Sequence, residues 1–470
     1  MPVTRVSTSV KELDPFVEGG FPRGSLILIC GEPGTGKSIF SAQFIYDGAV
    51  NYDEKGIYVS FSEDRQTFFD NMERFYNFRK LESEDKFCFM EMLTGQEAMI
   101  SESLKALLER IRTMEAKRVV IDSFSTFAQA VEKPIEARSL LHNILDKIVR
   151  KEGCTTLITG EIPPGVKKVI LGSGEFVADG VIILRRKMHV GRLIRELEIL
   201  KLRGTRLSNP RFVYTLENGF HIFPPTLPET KLTGICEVIP HQPNRYSTGI
   251  RDLDNILAEG FIPGSYDLLE VDEDVGIPLE LLLVPIISNF LSQGYPVIIL
   301  PPQGISANKM IEVIKDMKLP TDNLKIVDYR FETEEKSAPP YVLPLSGRSI
   351  IEDTTRFWTA TLQMMGLTRK PALSIVGFDT VEYVYGKEEA LRIVGESVAR
   401  TKNFGVLRIN IARPSMKIID ELRALATIHL RICQIDGAHF LYGVKPNTQL
   451  FNIQTKLEGH IRRYRLIPVV

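Results

Sequence analysis

Residues 26–40 read LILICGEPGTGKSIF, and this stretch decides the fold of the first half of the chain. An apolar run at 26–30 is followed by a G-x-x-x-x-G-K-S motif, after which apolar residues resume. Glycines let such a loop point its backbone N–H groups inward at phosphate oxygens, and the N-terminus of the next helix adds positive charge. The motif therefore predicts a strand, a phosphate-binding loop and a helix that together bind a nucleoside triphosphate.

ATP and Mg²⁺ are the two expected cofactors, and we predict which residues of this motif, and of a later strand, bind them. Lys37 can reach the β- and γ-phosphates, and the Ser38 hydroxyl can bind Mg²⁺. Asp122 ends the apolar strand VVID, where a carboxylate would help to hold the metal; its alternative role is a strand-terminal cap. The expected nucleotide-binding residues are Gly31, Glu32, Pro33, Gly34, Thr35, Gly36, Lys37, Ser38 and Ile39.

Composition indicates an ordinary globular protein. The chain has 470 residues, of which 44% are hydrophobic and 25% charged, and its formal net charge is −1. This balance gives no overall attraction to nucleic acid or to an anionic membrane. Its five cysteines are scattered without a C-x-x-C pair, which favours a reducing compartment. No 18-residue apolar run and no signal peptide are evident, so we expect a cytoplasmic protein with no membrane partner.

Apolar segments alternate with helical patterns through the first half of the chain. This alternation predicts an α/β fold, a mostly parallel sheet flanked by helices, with the last strands forming an antiparallel edge. Strands are predicted at 24–30, 56–61, 87–90, 118–122, 154–159, 180–184 and 195–201. Helices are predicted at 38–49, 65–78, 101–113 and 136–151.

The second half repeats the first. STSVKELD at 7–14 returns as STGIRDLD at 247–254, and Gly24 and Gly264 in the next repeated motif fix the offset (264 − 24 = 240). A repeat of this length indicates a duplicated domain. We therefore expect two tandem domains joined by a proline-rich linker. We expect an active domain at 1–226, a linker at 227–246 and a degenerate domain, which lacks the phosphate loop, at 247–470.

The phosphate loop is lost in the duplicate. At the common offset the sequence reads VDEDVGIP at 271–278, so Ile277 replaces Lys37 and Pro278 replaces Ser38. Three consecutive acids at 272–274 would repel phosphate. The second domain should keep the fold and lack the activity.

The ordered motifs resemble the KaiC-like branch of the RecA-fold P-loop ATPases. They are ST-x-x-x-x-LD, GGFPRGS, GEPGTGKS, VSFSED, VVIDS, EFVADGVIIL and EILKLRGT. The resemblance covers essentially the whole first half and, in outline, the second. It implies tandem RecA-like domains and a homo-oligomer, usually a hexameric ring, with ATP at the subunit interfaces and a protein partner that the sequence does not name.

Four catalytic residues are expected: Lys37 from the phosphate-loop motif, and three more that the resemblance implies. Glu63 matches the glutamate that activates the attacking water, although the family often has two adjacent glutamates where this chain has Glu63 and Asp64. Lys201 and Arg203 match a basic pair that reaches the neighbouring subunit's ATP. For Glu63, Lys201 and Arg203 the alternative is a solvated surface position.

Two further residues are weaker candidates. Arg195 lies on the same segment as Lys201, and Glu161 follows a strand where related ATPases carry a sensor of the γ-phosphate.

The expected function is a slowly hydrolysing ATPase with a regulatory or signal-transduction role. Autophosphorylation is left open by the resemblance, but the second domain should hold no phosphate donor. One alternative is a recombinase-like, DNA-stimulated ATPase, although the candidate DNA loop at 162–174 holds only Lys167 and Lys168 as basic residues, so nucleic acid is not favoured. The other alternative is a non-hydrolysing scaffold stabilised by nucleotide.

Overall fold

The structure, a computed structural model, divides into two compact units. It describes residues 4–92, 97–123, 148–149, 151–163, 178–225, 234–276, 279–329 and 339–470. The first unit comprises Met1–Pro225 with Val469–Val470, and the second comprises Thr226–Pro468. Nowhere in these described ranges is there a helix with the length and apolar character needed to cross a bilayer.

The first unit is built on one large sheet. Its strands are β1 (Arg5–Val6), β2 (Phe21–Pro22), β3 (Leu26–Gly31), β4 (Gly56–Ser60), β5 (Phe87–Glu91), β6 (Arg118–Asp122), β7 (Thr155–Glu161), β8 (Gly180–His189), β9 (Arg192–Leu202), β10 (Arg211–Thr215) and β11 (His221–Phe223). Its helices are α1 (Lys37–Asn51), α2 (Arg65–Glu73), α3 (Phe78–Ser83) and α4 (Glu97–Met114).

The large sheet has the order β11-β10-β9-β8-β3-β7-β6-β4-β5, and β1 pairs separately with β2. β3 lies between β7 and β8, parallel to both, and the strands from β8 to β5 are all parallel. β9, β10 and β11 form an antiparallel edge. Ile27 and Ile29 pack in one apolar cluster with α1, whereas Leu28 packs in another on the opposite face. This confirms the predicted α/β class with an antiparallel edge.

Two details of the first unit differ from the sequence prediction. The single helix predicted at 65–78 is wrong, because α2 ends at Glu73 and Asn77 caps a separate helix, accepting a hydrogen bond from Lys80 N. The predicted strands at 180–184 and 195–201 are parts of the long β8–β9 hairpin. The helix predicted at 136–151 lies mostly outside the described residues.

The second unit contains an eleven-stranded sheet. Its strands are β12 (Ile235–Cys236), β13 (Tyr266–Val271), β14 (Val297–Leu300), β15 (Leu324–Tyr329), β16 (Val342–Leu345), β17 (Leu373–Gly377), β18 (Leu407–Ala412), β19 (His429–Ile435), β20 (Ala438–Lys445), β21 (Phe451–Glu458) and β22 (Ile461–Pro468). Its helices are α5 (Arg251–Ile256), α6 (Val284–Ser292), α7 (Ala307–Asp316), α8 (Ile350–Thr368), α9 (Phe378–Tyr385), α10 (Lys387–Phe404) and α11 (Ile419–Leu425), and a π-helical turn covers Leu279–Leu283.

This second sheet repeats the topology of the first. Its order is β12-β22-β21-β20-β19-β13-β18-β17-β14-β15-β16, which is the order of the first sheet with one extra strand at each edge. The extra strand β12 lies within the stretch expected to be a linker.

The turn that opens each unit is also repeated, down to its hydrogen bonds. Asp14 accepts hydrogen bonds from Ser7 Oγ and Thr8 N at 2.6 and 2.8 Å. Asp254 accepts them from Ser247 Oγ and Thr248 N at 2.5 and 2.7 Å. Both aspartates are therefore turn-forming residues.

Candidate functional site

The phosphate loop connects the buried strand β3 to α1. Gly36 caps α1 with a φ of 91°, and a Cβ atom built there would lie 2.6 Å from Leu216, so the position requires glycine. Lys37 is only 8% exposed, and its Nζ donates to the Gly31 and Glu32 carbonyl oxygens at 2.9 and 3.1 Å. The lysine thus lies folded back over the loop that a triphosphate would occupy.

Burial lowers the pKa of Lys37, because the charged ammonium loses solvation. Glu161 and Asp122 act in the opposite direction and favour the charged form. Glu161 ends β7 directly opposite Gly31 in the sheet register, so it lies beside the start of the loop.

Asp122 gathers three hydroxyl groups at the carboxyl end of β6. Its Oδ2 accepts hydrogen bonds from Ser38 Oγ at 2.7 Å and from the Tyr58 hydroxyl at 2.5 Å, and its Oδ1 accepts one from Thr159 Oγ1 at 2.5 Å. The sequence motif did not indicate Tyr58 or Thr159, which reach Asp122 only through the parallel pairing of neighbouring strands. A serine hydroxyl beside a carboxylate is a donor set that fits Mg²⁺, a cation that prefers oxygen ligands.

Glu63 and Asp64, adjacent in sequence, have different environments. Asp64 caps α2, accepting a hydrogen bond from Thr67 N at 2.8 Å. The half-buried Glu63 has a raised pKa, first because of desolvation and then because of the like charges of Asp122 and Asp64. A carboxylate with a raised pKa that interacts electrostatically with Asp122 is suited to accept a proton.

Lys201 and Arg203 lie at the opposite end of the parallel strands. Lys201 Nζ donates to Ala178 O at 2.6 Å, and Arg203 is paired with Asp179 at 3.3 Å. Asp179 in turn accepts a hydrogen bond from the N–H of Leu26, the first residue of β3. At about 3.3 Å per strand residue, the end of β3 that carries the phosphate loop is roughly 17 Å away. The structure therefore does not bring this basic pair together with the loop of its own unit.

The antiparallel edge instead places other residues on the loop. Arg195 Nη1 donates to Gly34 O at 2.8 Å, and the Tyr214 hydroxyl donates to Thr35 O at 2.5 Å. Arg186, opposite Arg195 in the register, lies 3.9 Å from the Glu32 carboxylate. Arg186 and Tyr214 were not predicted; the only sequence signal was the unusual density of arginine in these strands.

In the second unit the equivalent loop is filled by a side chain of the same unit. Arg413 follows β18, and its Nη1 donates to Asp272 O and Val275 O at 2.6 and 2.7 Å. Asp272 pairs with Arg431 at 2.6 Å, and Glu273 accepts a hydrogen bond from Ser415 N at 2.8 Å. These two acids are therefore partnered within the unit.

Three predictions about binding sites concern residues outside the described part of the chain. They are the replacements at Ile277 and Pro278 and most of the candidate DNA loop at 162–174.

Comparison with known proteins identifies similar chains. A family model described as "ATPase: KaiC" matches residues 6–226. The circadian clock oscillator protein KaiC of Thermostichus vulcanus is 32% identical over 301 residues, which are 62% of this chain and 55% of that protein. The protein of the same name from Synechococcus elongatus is 33% identical over 273 residues, 56% of this chain and 51% of that one. The chain thus spans about half the length of the curated relatives it matches.

Among solved structures, a KaiC-like protein from the archaeon Pyrococcus horikoshii is 34% identical in sequence. The alignment covers 47% of this chain and 100% of that one, with a TM-score of 0.43.

Proposed function

Because this chain belongs to the KaiC family of ATPases, we propose that its first unit binds ATP with Mg²⁺ and hydrolyses it slowly. The observation that carries the proposal is the contact of Ser38 with Asp122 at 2.7 Å beside the buried Lys37. Lys37 would hold the β- and γ-phosphates, and Ser38 with Asp122 would hold the metal. When bound, ATP would supply the γ-phosphoryl group, and Mg²⁺ would neutralise part of the charge on its phosphates.

Glu63 is assigned the role of general base in this proposal. Its raised pKa favours accepting a proton from the attacking water, and its backbone N–H is fixed at 2.9 Å from Ser60 Oγ, at the end of β4. Asp64 is committed to capping α2, so the site has one general base where relatives often have two glutamates. This difference supports slow turnover.

We assign Lys201 and Arg203 to the ATP site of a neighbouring subunit. Their position at the amino end of the parallel strands, away from the phosphate loop of their own unit, supports a role in trans. The active assembly is then a homo-oligomer, a hexameric ring by analogy with the family, with ATP at each interface. Nucleotide state would change the ring and its binding of a protein partner in the cytoplasm, which is a regulatory role.

The second unit is proposed to be a degenerate copy without nucleotide. The support is the side chain of Arg413, which donates to the loop carbonyl oxygens much as Lys37 does in the first unit. We place the change from active domain to linker near residue 226, and the degenerate domain at 247–470.

The test is ATP turnover under saturating ATP–Mg²⁺ by the wild type, Glu63→Gln and a matched control, Asp64→Asn. Asparagine caps helices as well as aspartate does, so the control changes the neighbouring acid without removing the cap. We expect Glu63→Gln to lose about 100-fold or more and the control to stay active. Equal turnover by Glu63→Gln and wild type would remove Glu63 from the mechanism, and no turnover by the wild type would leave a nucleotide-stabilised scaffold.

A further inference from the structure

The carbonyl oxygen atoms of the phosphate loop need hydrogen-bond donors of their own. A loop that points its backbone N–H groups inward at phosphates turns carbonyl groups outward, and polar backbone groups in a folded protein are nearly always paired. In this loop the Gly34 carbonyl oxygen accepts a hydrogen bond from Arg195 Nη1 at 2.8 Å. The Thr35 carbonyl oxygen accepts one from the Tyr214 hydroxyl at 2.5 Å. Two side chains of the antiparallel edge therefore support the outer side of the loop.

Arg195 is itself held by a residue that is distant in the sequence. Its Nε donates to the Val470 carbonyl oxygen at 2.7 Å, while its Nη1 donates to Gly34. Val469 and Val470 belong to the first unit, and Val469 is only 4% exposed. Because the guanidinium group is planar and rigid, a hydrogen bond at Nε restricts the direction in which Nη1 points. Val470 therefore helps to orient the donor that Gly34 receives.

The backbone of Val470 also supports the loop by a second route. Its carbonyl oxygen accepts a hydrogen bond from Leu216 N at 3.2 Å, and its N–H donates to Thr215 Oγ1 at 3.4 Å. The Leu216 side chain packs against Gly36, where a Cβ atom would lie 2.6 Å from it. Two chains of contacts thus run from Val470 to glycines of the phosphate loop.

We propose that Arg195 and Val470 are positioning residues of the ATP site. Val470 orients Arg195, and Arg195 holds the Gly34 carbonyl outward, so that the neighbouring N–H groups stay directed at the phosphates. This inference rests on the proposed function, because it gives the two residues an effect on the binding of ATP–Mg²⁺. It adds a requirement to that function: the motif at 31–38 binds nucleotide well only when Val470 is in place.

The first test compares Arg195→Met with the wild type. Methionine keeps much of the side-chain length and removes both donors, so we expect ATP–Mg²⁺ to bind about tenfold more weakly. Magnesium tripolyphosphate, which can contact the loop but has no base or ribose, should lose affinity by the same factor. Calorimetry separates this effect from instability, since a displaced loop raises Kd at unchanged stoichiometry, whereas partial unfolding lowers the stoichiometry.

The matched control is Arg185→Met, which removes an arginine of the same β8–β9 hairpin that is paired with Glu198. We expect this control to bind both ligands as the wild type does. A loss in the control equal to that in Arg195→Met would assign the effect to the hairpin as a whole and overturn the proposal.

A second variant tests Val470. A chain that stops after Pro468 lacks the carbonyl acceptor, so we expect it also to bind ATP about tenfold more weakly. When this change is combined with Arg195→Met, the loss should be smaller than the product of the two single losses, because Val470 acts through Arg195. Losses that multiply in full would overturn the role of Val470 in orienting Arg195. If the shortened chain does not fold, Arg195→Met decides.

Amide hydrogen exchange of the nucleotide-free protein gives a measurement that does not depend on ATP. Phe40 N donates to Gly36 O at 2.9 Å, and Thr35 N donates to Glu32 O at 3.3 Å. Exchange across residues 32–40 should be faster in Arg195→Met and in the shortened chain than in the wild type and the control. Unchanged exchange together with unchanged ATP affinity in these variants would overturn this inference alone. No ATP binding by the wild type would overturn the proposed function and, with it, the effect on nucleotide binding.

Discussion

Arg5 holds Thr205: its Nη1 donates to the threonine Oγ1 at 2.5 Å, and its Nη2 donates to Gly204 O at 2.7 Å. Glu18 pairs with the same guanidinium at 2.6 Å and fixes it from the other side. The strand β1 therefore orders the loop that follows Arg203. Within the proposed function, this loop is presented to the neighbouring subunit.

Replacement of Arg5 should therefore slow turnover without weakening ATP binding. We expect Arg5→Ala to lower kcat roughly tenfold to a hundredfold, because a small displacement of a transition-state group is costly while the phosphate loop stays intact. The measurements are steady-state kinetics and calorimetric ATP affinity. The matched control is Arg23→Ala, which loses a different ion pair, the one with Glu54. Parallel losses in both variants would indicate a general effect on stability.

Lys37→Ala should lose ATP binding almost entirely. The lysine supplies the positive charge within the phosphate loop, and the equivalent loop of the second unit is filled by Arg413. Isothermal titration calorimetry measures the stoichiometry directly. Residual binding of about one nucleotide per chain in this variant would contradict the assignment of the second unit as nucleotide-free.

Arg203→Ala should slow hydrolysis by about 10³, far more than it weakens ATP binding. If Arg203 acts in trans, mixing inactive Arg203→Ala protein with inactive Lys37→Ala protein should restore part of the turnover. A subunit with intact Arg203 then completes the site of a subunit with intact Lys37. Turnover is measured over a range of mixing ratios, with native mass spectrometry to show that mixed oligomers form. Mixed oligomers without recovered turnover would require a site completed within one chain.

Turnover should fall on acidification at a higher pH than an unperturbed glutamate would give. The general base must be deprotonated, and the pKa of Glu63 is raised by burial and by the charges of Asp122 and Asp64. Asp64→Asn removes one of these like charges, so it should shift the acid limb of the pH–kcat profile to lower pH. An unshifted limb in Asp64→Asn, or a shift to higher pH, would mean that another group controls it.

Arg413→Ala should destabilise the second unit by about 1–3 kcal/mol, since two loop carbonyl oxygens lose a charged donor. Denaturant unfolding measures the loss. Arg392→Ala, which removes an exposed arginine paired with Glu389 one helical turn away, is the control and should change stability little. Similar values for the two variants would show that Arg413 does not support the loop.

Local patterns were sufficient to predict the strands that position the site. β6 was predicted at its observed bounds, and β3, β4 and β5 to within two residues, because each is a short apolar run that is buried in the sheet. The β8–β9 hairpin was predicted too short, since its charged continuation resembles a loop. In the structure this part is held by ion pairs across the hairpin, of Arg185 with Glu198 and of Lys187 with Glu196.

Contacts between residues distant in sequence could not be predicted in the same way. No spacing rule links Tyr58 or Thr159 to Asp122, because their proximity arises from the order of parallel strands. Likewise, the acids at 272–274 predicted a loop that repels phosphate, but not that Arg413 would fill it. The sequence indicated the residue types that a site needs, but the order of the strands in the sheet determines which of these residues are in contact.

The equivalent turns at Asp14 and Asp254 allow the two units of this chain to be compared with each other, position by position. Both copies keep the same side-chain hydrogen bonds, although only one keeps the motif for binding a triphosphate. Features that both copies keep are therefore needed for the fold, whereas features that differ between the copies can serve ligand binding or catalysis. Each position in the first unit can be sorted in this way against its counterpart 240 residues later, wherever the offset holds, without reference to any other protein.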